Sequence, residues 1–174
     1  MQAIVVYESH WGNTAAVAEA IAEGIGAGAR AMPTSEATPA VVAEADLVVA
    51  GSPVMAFNLP SARMRATMAT DQKAPTPPDL SHQSMQEWLA GLSLRHGAAA
   101  AFETRLRFSP GGATGAIERS LERAGYRTIA KAGKFIVHGS YGPLREGEVE
   151  RARQWGADLW AALREVAAGT SAIV

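Results

Sequence analysis

The chain contains no cysteine, and this absence removes several classes of protein at once. Disulfides and thiolate metal sites are excluded, and a chain without cysteine fits a reducing compartment. With 174 residues, the chain can bury roughly two thirds of the surface that its unfolded form exposes, so a core without covalent cross-links is sufficient. We therefore expect a single domain over residues 1–174 and a cytoplasmic location.

A long hydrophobic run and a basic leader are also missing. No apolar stretch approaches the roughly 20 residues that cross a membrane. The first residues, MQAIVVYESHWG, pass directly into a patterned strand and show no cleavage site. The sequence therefore predicts neither a membrane span nor a targeting segment.

The chain has no excess of positive charge. Its 16 basic residues stand against 17 acidic ones, a balance that argues against a nucleic-acid partner. The distribution is uneven, because residues 1–60 hold six acids and one base, or 1 − 6 = −5, whereas the remainder holds 15 bases and 11 acids, or +4. This uneven distribution of charge bears on the kind of partner that the chain can bind.

Familiar catalytic signatures are absent too. The sequence has no GxSxG elbow, no paired-carboxylate signature and no GxxxxGK phosphate loop. His82, His96 and His138 lack the spacing of metal ligands, so they are interpreted as surface or structural residues, and no metal site is predicted.

The sequence does contain an alternation of apolar strands and amphipathic helices. QAIVVYE is a continuous apolar run, as expected of a strand buried on both faces of a parallel sheet. Further strands are predicted at ARAMP, DLVVAGSP, GAAAAFET and KAGKFIVHG. Helices are predicted at about 14–26, in ATPAVVAEA, at about 61–69, in SMQEWLAGL, before Gly125 and at about 146–167, with a surface excursion over 71–86. Right-handed crossovers then give a doubly wound α/β sheet of five parallel strands in the order 2-1-3-4-5.

The loop after the first strand, SHWGNT, has the composition of a phosphate-binding turn. N–H groups at the start of a helix have no intrahelical partner, and the helix dipole favours an anion there. Ser9 and Thr14 supply hydroxyls, Gly12 permits close backbone approach, Asn13 can cap or donate, and His10 can donate to a phosphate. An ordinary N-capped turn needs only one of these residues, and it stays the alternative.

This loop resembles the first loop of the flavodoxin-like superfamily, whose pattern Ser/Thr-x-Ser/Thr-Gly-x-Thr binds the phosphate of FMN. Ser9, Gly12 and Thr14 match the pattern, whereas Trp11 replaces its middle hydroxyl. Nearly the whole chain is also similar to a group of actinobacterial flavodoxin-domain proteins, over stretches that include GSPVMAF, EWLAGL and GPLREGEVERARQWGADL. The resemblance implies a flavodoxin-like three-layer sandwich, and the group is defined by its fold and not by a reaction.

Under this resemblance, two further loops border the flavin ring. Val54, Met55 and Phe57 can offer the ring an apolar face, and Thr104 and Arg105 can meet its edge. Simple packing of the apolar residues, and a solvated surface charge at Arg105, stay open as alternatives. The candidate cofactor-binding residues in these two loops are Ser52, Pro53, Val54, Phe57, Glu103, Thr104, Arg105 and Phe108.

Two classes of function are consistent with these residues. The first is an FMN-binding redox protein that passes electrons to a partner protein or reduces a small acceptor such as a quinone; no GxGxxG follows the first strand, so FMN is expected in preference to FAD. Electron-carrier flavodoxins look strongly acidic by resemblance, and the near-neutral charge of this chain favours an oxidoreductase over a dedicated shuttle. The second class is a flavin-free protein, either a binding or regulatory module or a non-redox enzyme, in which Trp11 fills part of the phosphate site.

For the Trp11 side chain, we expect a position across the mouth of the site. An indole left in water forgoes roughly 25 cal/mol for each Å² of apolar surface that it could bury, so it should have a partner. Packing of Trp11 onto the body of the domain is the rival arrangement.

Overall fold

The chain folds around a single β-sheet. Every pair of neighbouring strands in this sheet is parallel. The computed structural model describes residues 1–171. Its strands are β1 Ala3–Tyr7, β2 Ala29–Pro33, β3 Leu47–Pro53, β4 Gly97–Leu106, β5 Tyr126–Thr128 and β6 Gly133–Val137. They lie in the order β2-β1-β3-β4-β5, with β6 also paired to β4. The predicted strand order is confirmed.

Where the sequence predicted a single fifth strand, the structure has two strands, β5 and β6. Tyr126 lies opposite Gly97, whereas Gly133 lies opposite Phe102. The offset between partners rises from 126 − 97 = 29 to 133 − 102 = 31. Two extra residues must therefore be accommodated between the segments, and they interrupt the hydrogen-bonded ladder.

Helices cover both faces of the sheet. They are α1 Asn13–Ile25, α2 Pro39–Ala43, α3 Ala62–Ala69, α4 Met85–Ala90, α5 Thr114–Arg123 and α6 Glu148–Ser171. One core cluster joins α1 and α6 to the sheet, and a second joins α2, α4 and α5 to the opposite face. This is the predicted three-layer arrangement. No helix in the described part of the chain combines the length and the hydrophobicity needed to span a bilayer.

Two glycines allow α1 and α6 to approach closely. A Cβ atom on Gly156 would collide with the carbonyl oxygen of Ile21, and one on Gly24 would collide with that of Arg153. The close crossing fixes α1 against the sheet. It thereby fixes the position of the loop that precedes α1.

Candidate cofactor site

A cleft of about 370 Å³ opens where the carboxyl ends of β1, β3, β4 and β6 meet. Ligands of doubly wound sheets bind at this edge, and the volume falls in the range of small-molecule sites. The predicted residues that line the cleft are Ser9, His10, Trp11, Asn13, Thr14, Pro53, Val54, Phe57, Thr104 and Arg105. Met55 lines it as well.

Backbone donors at the start of α1 are free for a ligand. Gly12 precedes the helix with φ 86, and no side chain caps it. The Ala16 N–H donates to the Gly12 carbonyl at 2.9 Å. From His10 to Ala15, no backbone N–H finds an acceptor among residues 1–171. Since backbone donors are normally paired, a row of unpaired ones beside a cleft is suited to an anion.

Two buried side-chain atoms of the same loop also lack a partner in the described part of the chain, namely Ser9 Oγ and His10 Nδ1. Ser9 is 5% exposed and His10 is 4% exposed, so water does not replace the missing partner freely. Most buried polar atoms are hydrogen-bonded, and an unsatisfied one costs roughly 1–3 kcal/mol. Both atoms therefore have the character of ligand-binding groups.

A fully buried carboxylate supports the loop from below. Glu8 accepts hydrogen bonds from Arg65 Nη1 at 2.5 Å, from the Met85 N–H at 2.9 Å and from Ser52 Oγ at 3.3 Å, and His10 Nε2 lies 3.1 Å away. Burial raises the pKa of Glu8, but the hydrogen bonds from His10, Met85 and Arg65 outweigh it and hold the pKa below its usual value. Glu8 thus stays ionised, pairs with Arg65 and orients His10.

The segment between α3 and α4 contacts the loop between β1 and α1. The Asp79 N–H donates to the His10 carbonyl at 2.8 Å, and His82 Nε2 lies 2.8 Å from the Ser9 carbonyl oxygen. His82 is buried and has the structural role predicted for it. The surface excursion is therefore tied to the loop by one backbone hydrogen bond and one contact of the His82 side chain.

Trp11 lies at the mouth of the cleft. Its Nε1 donates to the Thr76 carbonyl at 3.0 Å, and its ring meets the Tyr141 ring edge-on with centroids 4.9 Å apart. Tyr141 in turn donates from its hydroxyl to Asp71 at 2.6 Å. The indole thus lines the cleft and also packs against Tyr141 and the segment after α3, which combines the expected position at the mouth with the rival packing onto the domain.

Two hydroxyls meet on the floor of the cleft. Thr14 Oγ1 and Thr104 Oγ1 are 2.8 Å apart, and both residues are buried. Asn13 donates from Nδ2 to the Tyr141 carbonyl at 3.0 Å. The first residues of α1 are thus joined to β4 and to the loop after β6.

Four of the expected cofactor-binding residues do not line the cleft. Glu103 is fully buried and accepts from the Ala113 and Thr114 N–H groups at 2.7 and 3.0 Å, so it caps α5. Ser52 bonds to Glu8, and Phe108 is 86% exposed in an adjoining groove. The fourth, Gly12, is exposed and lines a smaller recess beside Ser9.

Arg105 does line the cleft, but its guanidinium is committed to the loop. Nη1 donates to Glu103 at 2.7 Å and to the Gly111 carbonyl at 3.1 Å, and Nη2 donates to the Ser109 carbonyl. The Arg105 side chain is therefore neither the solvated surface charge nor the free flavin contact considered from the sequence. Its charge is balanced by Glu103.

Sequence reasoning missed one wall of the cleft. Val137 ends β6 and Gly139, Ser140 and Tyr141 follow it, while Met68 and Asp71 come from the end of α3 and just beyond it. The available signal was positional, because β6 also ends at the ligand-binding edge of the sheet. The polar and aromatic stretch HGSY lies at that end of β6, but its composition alone did not mark it as part of the cleft.

No protein-family model matches the chain, and no curated protein matches it significantly. Solved structures do. A flavodoxin from the domain Archaea is 20% identical, with 94% of this chain and 99% of that one covered and a TM-score of 0.64. A flavodoxin-like WrbA-like protein from Agrobacterium tumefaciens is 19% identical, over 94% and 98%, with a TM-score of 0.61. The Flv1 flavodiiron core from Synechocystis is 18% identical, over 95% of this chain and 36% of that one, with a TM-score of 0.64. The chain therefore has the flavodoxin-like α/β fold, while the similarity to the actinobacterial group stays a prediction.

Proposed function

We propose that this chain is an FMN-binding redox protein that passes electrons to a protein partner or reduces a small acceptor. One observation carries the proposal: the unpaired N–H groups from His10 to Ala15 lie beside the unpaired Ser9 hydroxyl, at the start of α1. A phosphate monoester satisfies such donors, because it brings several acceptor oxygens and a negative charge to the positive end of a helix dipole.

The remainder of the cleft suits a planar ring. Val54, Met55 and Phe57 supply apolar surface to the cleft, and Trp11 and Tyr141 supply aromatic rings. Aromatic and apolar walls with a few polar groups are typical of cofactor sites. Bound FMN supplies hydride and single-electron chemistry, while the protein contributes binding, orientation and electrostatics.

The position of Trp11 also supports the flavin-binding hypothesis over the flavin-free one. An indole that filled the phosphate site would cover the loop N–H groups without accepting from them, because its only polar group is a donor. Instead, its N–H donates to Thr76 and its ring contacts Tyr141. The N–H groups from His10 to Ala15 therefore stay unpaired beside the indole, which supports the proposal.

The direct test is the colour of the purified protein. We expect flavin absorbance in the visible range, and mass spectrometry of the released cofactor should give FMN and not FAD. Stripped protein should bind added FMN with saturation and with loss of flavin fluorescence. A colourless protein that binds no FMN after titration would overturn the proposal.

A further inference from the structure

A second groove, of about 560 Å³, adjoins the candidate cofactor cleft. Phe57, Leu106, Ser109 and Val137 line both, so the two spaces share a wall. A molecule in the groove would therefore lie next to whatever occupies the cleft.

The groove displays large apolar side chains to solvent. Phe108 is 86% exposed, Phe57 60% and Leu106 43%. Single exposed apolar residues are ordinary, but a contiguous group around a concavity marks a ligand or partner site. An aromatic or apolar occupant would cover these three side chains.

Phe57 is held in this position against its conformational preference. Met55 and Asn58 exchange backbone hydrogen bonds of 2.8 and 3.0 Å around a two-residue turn. Its central residues, Ala56 and Phe57, have φ 41 and φ 74, where Asn-Gly is normally preferred. Gly111 packs beneath the turn, and a Cβ there would collide with the Phe57 carbonyl oxygen. Strain of this kind persists where the surrounding structure imposes it, and it clusters at functional sites.

The charged side chains around the groove are those of two arginines. Arg107 and Arg145 line it, and none of its lining residues carries a carboxylate. The Arg107 guanidinium lies 5.2 Å from the centroid of the Phe108 ring, and no carboxylate pairs with it within residues 1–171. Arg145 pairs with Glu148, but Glu148 is shared with Arg151, so this trio keeps one positive charge.

We infer that this groove binds a small aromatic anion, held between the Phe57 and Phe108 rings and the Arg107 charge. The role of that anion as electron acceptor rests on the proposed function, because the groove shares a wall with the cofactor cleft. The binding itself does not require a flavin. Apolar rings with an unpaired cation and no carboxylate favour an anionic aromatic molecule over a neutral or cationic one.

Two matched probes test the inference: naphthalene-2-sulfonate and the neutral naphthalene-2-methanol. Each is titrated into the purified protein by calorimetry, with and without saturating FMN, so that occupancy of the cofactor cleft is separated from occupancy of the groove. We expect the sulfonate to bind more tightly than the alcohol, and its affinity to fall with added salt. Arg107→Gln should weaken sulfonate binding about fivefold, the upper range for an exposed charge pair, and leave alcohol binding unchanged.

Control variants separate this groove from the rest of the surface. Phe108→Ala should weaken both probes. Leu94→Ala removes another exposed apolar side chain, 77% exposed, which lines a different cavity beside Trp88 and Tyr126. Arg127→Gln removes an exposed arginine from β5. Neither control should change binding.

The outcomes are distinguishable from failure of the proposed function. Sulfonate binding that depends on Arg107 and Phe108 supports the inference even if no FMN binds, in which case only the redox role is lost. Equal affinity for both probes overturns the inference. So does a loss of binding in Leu94→Ala together with unchanged binding in Phe108→Ala.

Discussion

Replacing Ser9 by Ala should move stability and cofactor affinity in opposite directions. The Ser9 hydroxyl is buried and has no partner in the described part of the chain. Its removal takes away an unsatisfied polar atom, whose burial costs roughly 1–3 kcal/mol. We expect the apoprotein to be unchanged or more stable by about 1 kcal/mol, which for a chain of this length raises Tm by about 2–4 °C.

The same substitution should weaken FMN binding. If the hydroxyl donates to the phosphate, its loss removes a hydrogen bond to a charged group, worth about 1.5–3 kcal/mol. The dissociation constant should then rise roughly ten- to a hundredfold. Thermal melts of the apoprotein and fluorescence titrations with FMN give the two quantities independently.

Ser84→Ala is the matched control. Ser84 is also 5% exposed, but its hydroxyl donates to Glu87 at 2.8 Å and caps α4. Loss of such a cap costs about 1 kcal/mol, and FMN affinity should stay as in the wild type. If Ser9→Ala behaves like Ser84→Ala, with lower stability and unchanged affinity, the Ser9 hydroxyl is structural and the phosphate assignment is wrong.

Three further substitutions probe the same site. Thr14→Val should destabilise the protein by about 1–2 kcal/mol in urea unfolding, because Thr104 is left buried and unpaired, and should lower FMN affinity about tenfold; an unchanged affinity would remove Thr14 from the site. Glu8→Gln should cost about 3 kcal/mol at neutral pH, since Arg65 loses its ionised partner. The folded-state pKa of Glu8 is lowered from 4.5, so its stabilisation is present above about pH 4.5 and is lost as the pH falls through the folded pKa; a wild-type advantage that persists in acid would contradict this. Trp11→Phe should abolish most of the quenching of tryptophan fluorescence by FMN while the protein stays folded, and full quenching in that variant would place the flavin away from Trp11.

The strand order and the location of the cleft were predictable because they depend on patterns along the chain. Continuous apolar runs such as QAIVVYE and DLVVAGSP mark buried parallel strands, and right-handed crossovers leave few topologies. The division of the last strand position was not predictable. It follows from the two-residue change in offset along β4, which only pairing reveals.

The residues lining the cleft were predictable where they lie in the turn that joins a strand to the next helix, as Ser9 does, or at the start of that helix, as Thr14 does. Glu103 was misassigned because a side chain at a strand end can face the cleft or the neighbouring helix, and the free N–H groups of Ala113 and Thr114 attract the carboxylate. Arg65 was missed because its partner is distant in the sequence. It lies 57 positions from its partner Glu8, and no local pattern joins the two.

The replacement of a loop hydroxyl by Trp11 is consistent with phosphate binding once the surroundings are considered. The substitution removes one donor, but the unpaired His10 Nδ1 lies one residue earlier in the same loop. The indole N–H is meanwhile bound to Thr76, and this contact holds the excursion over the loop. Trp11 therefore replaces one hydroxyl without occupying the N–H groups from His10 to Ala15, which stay available to an anion.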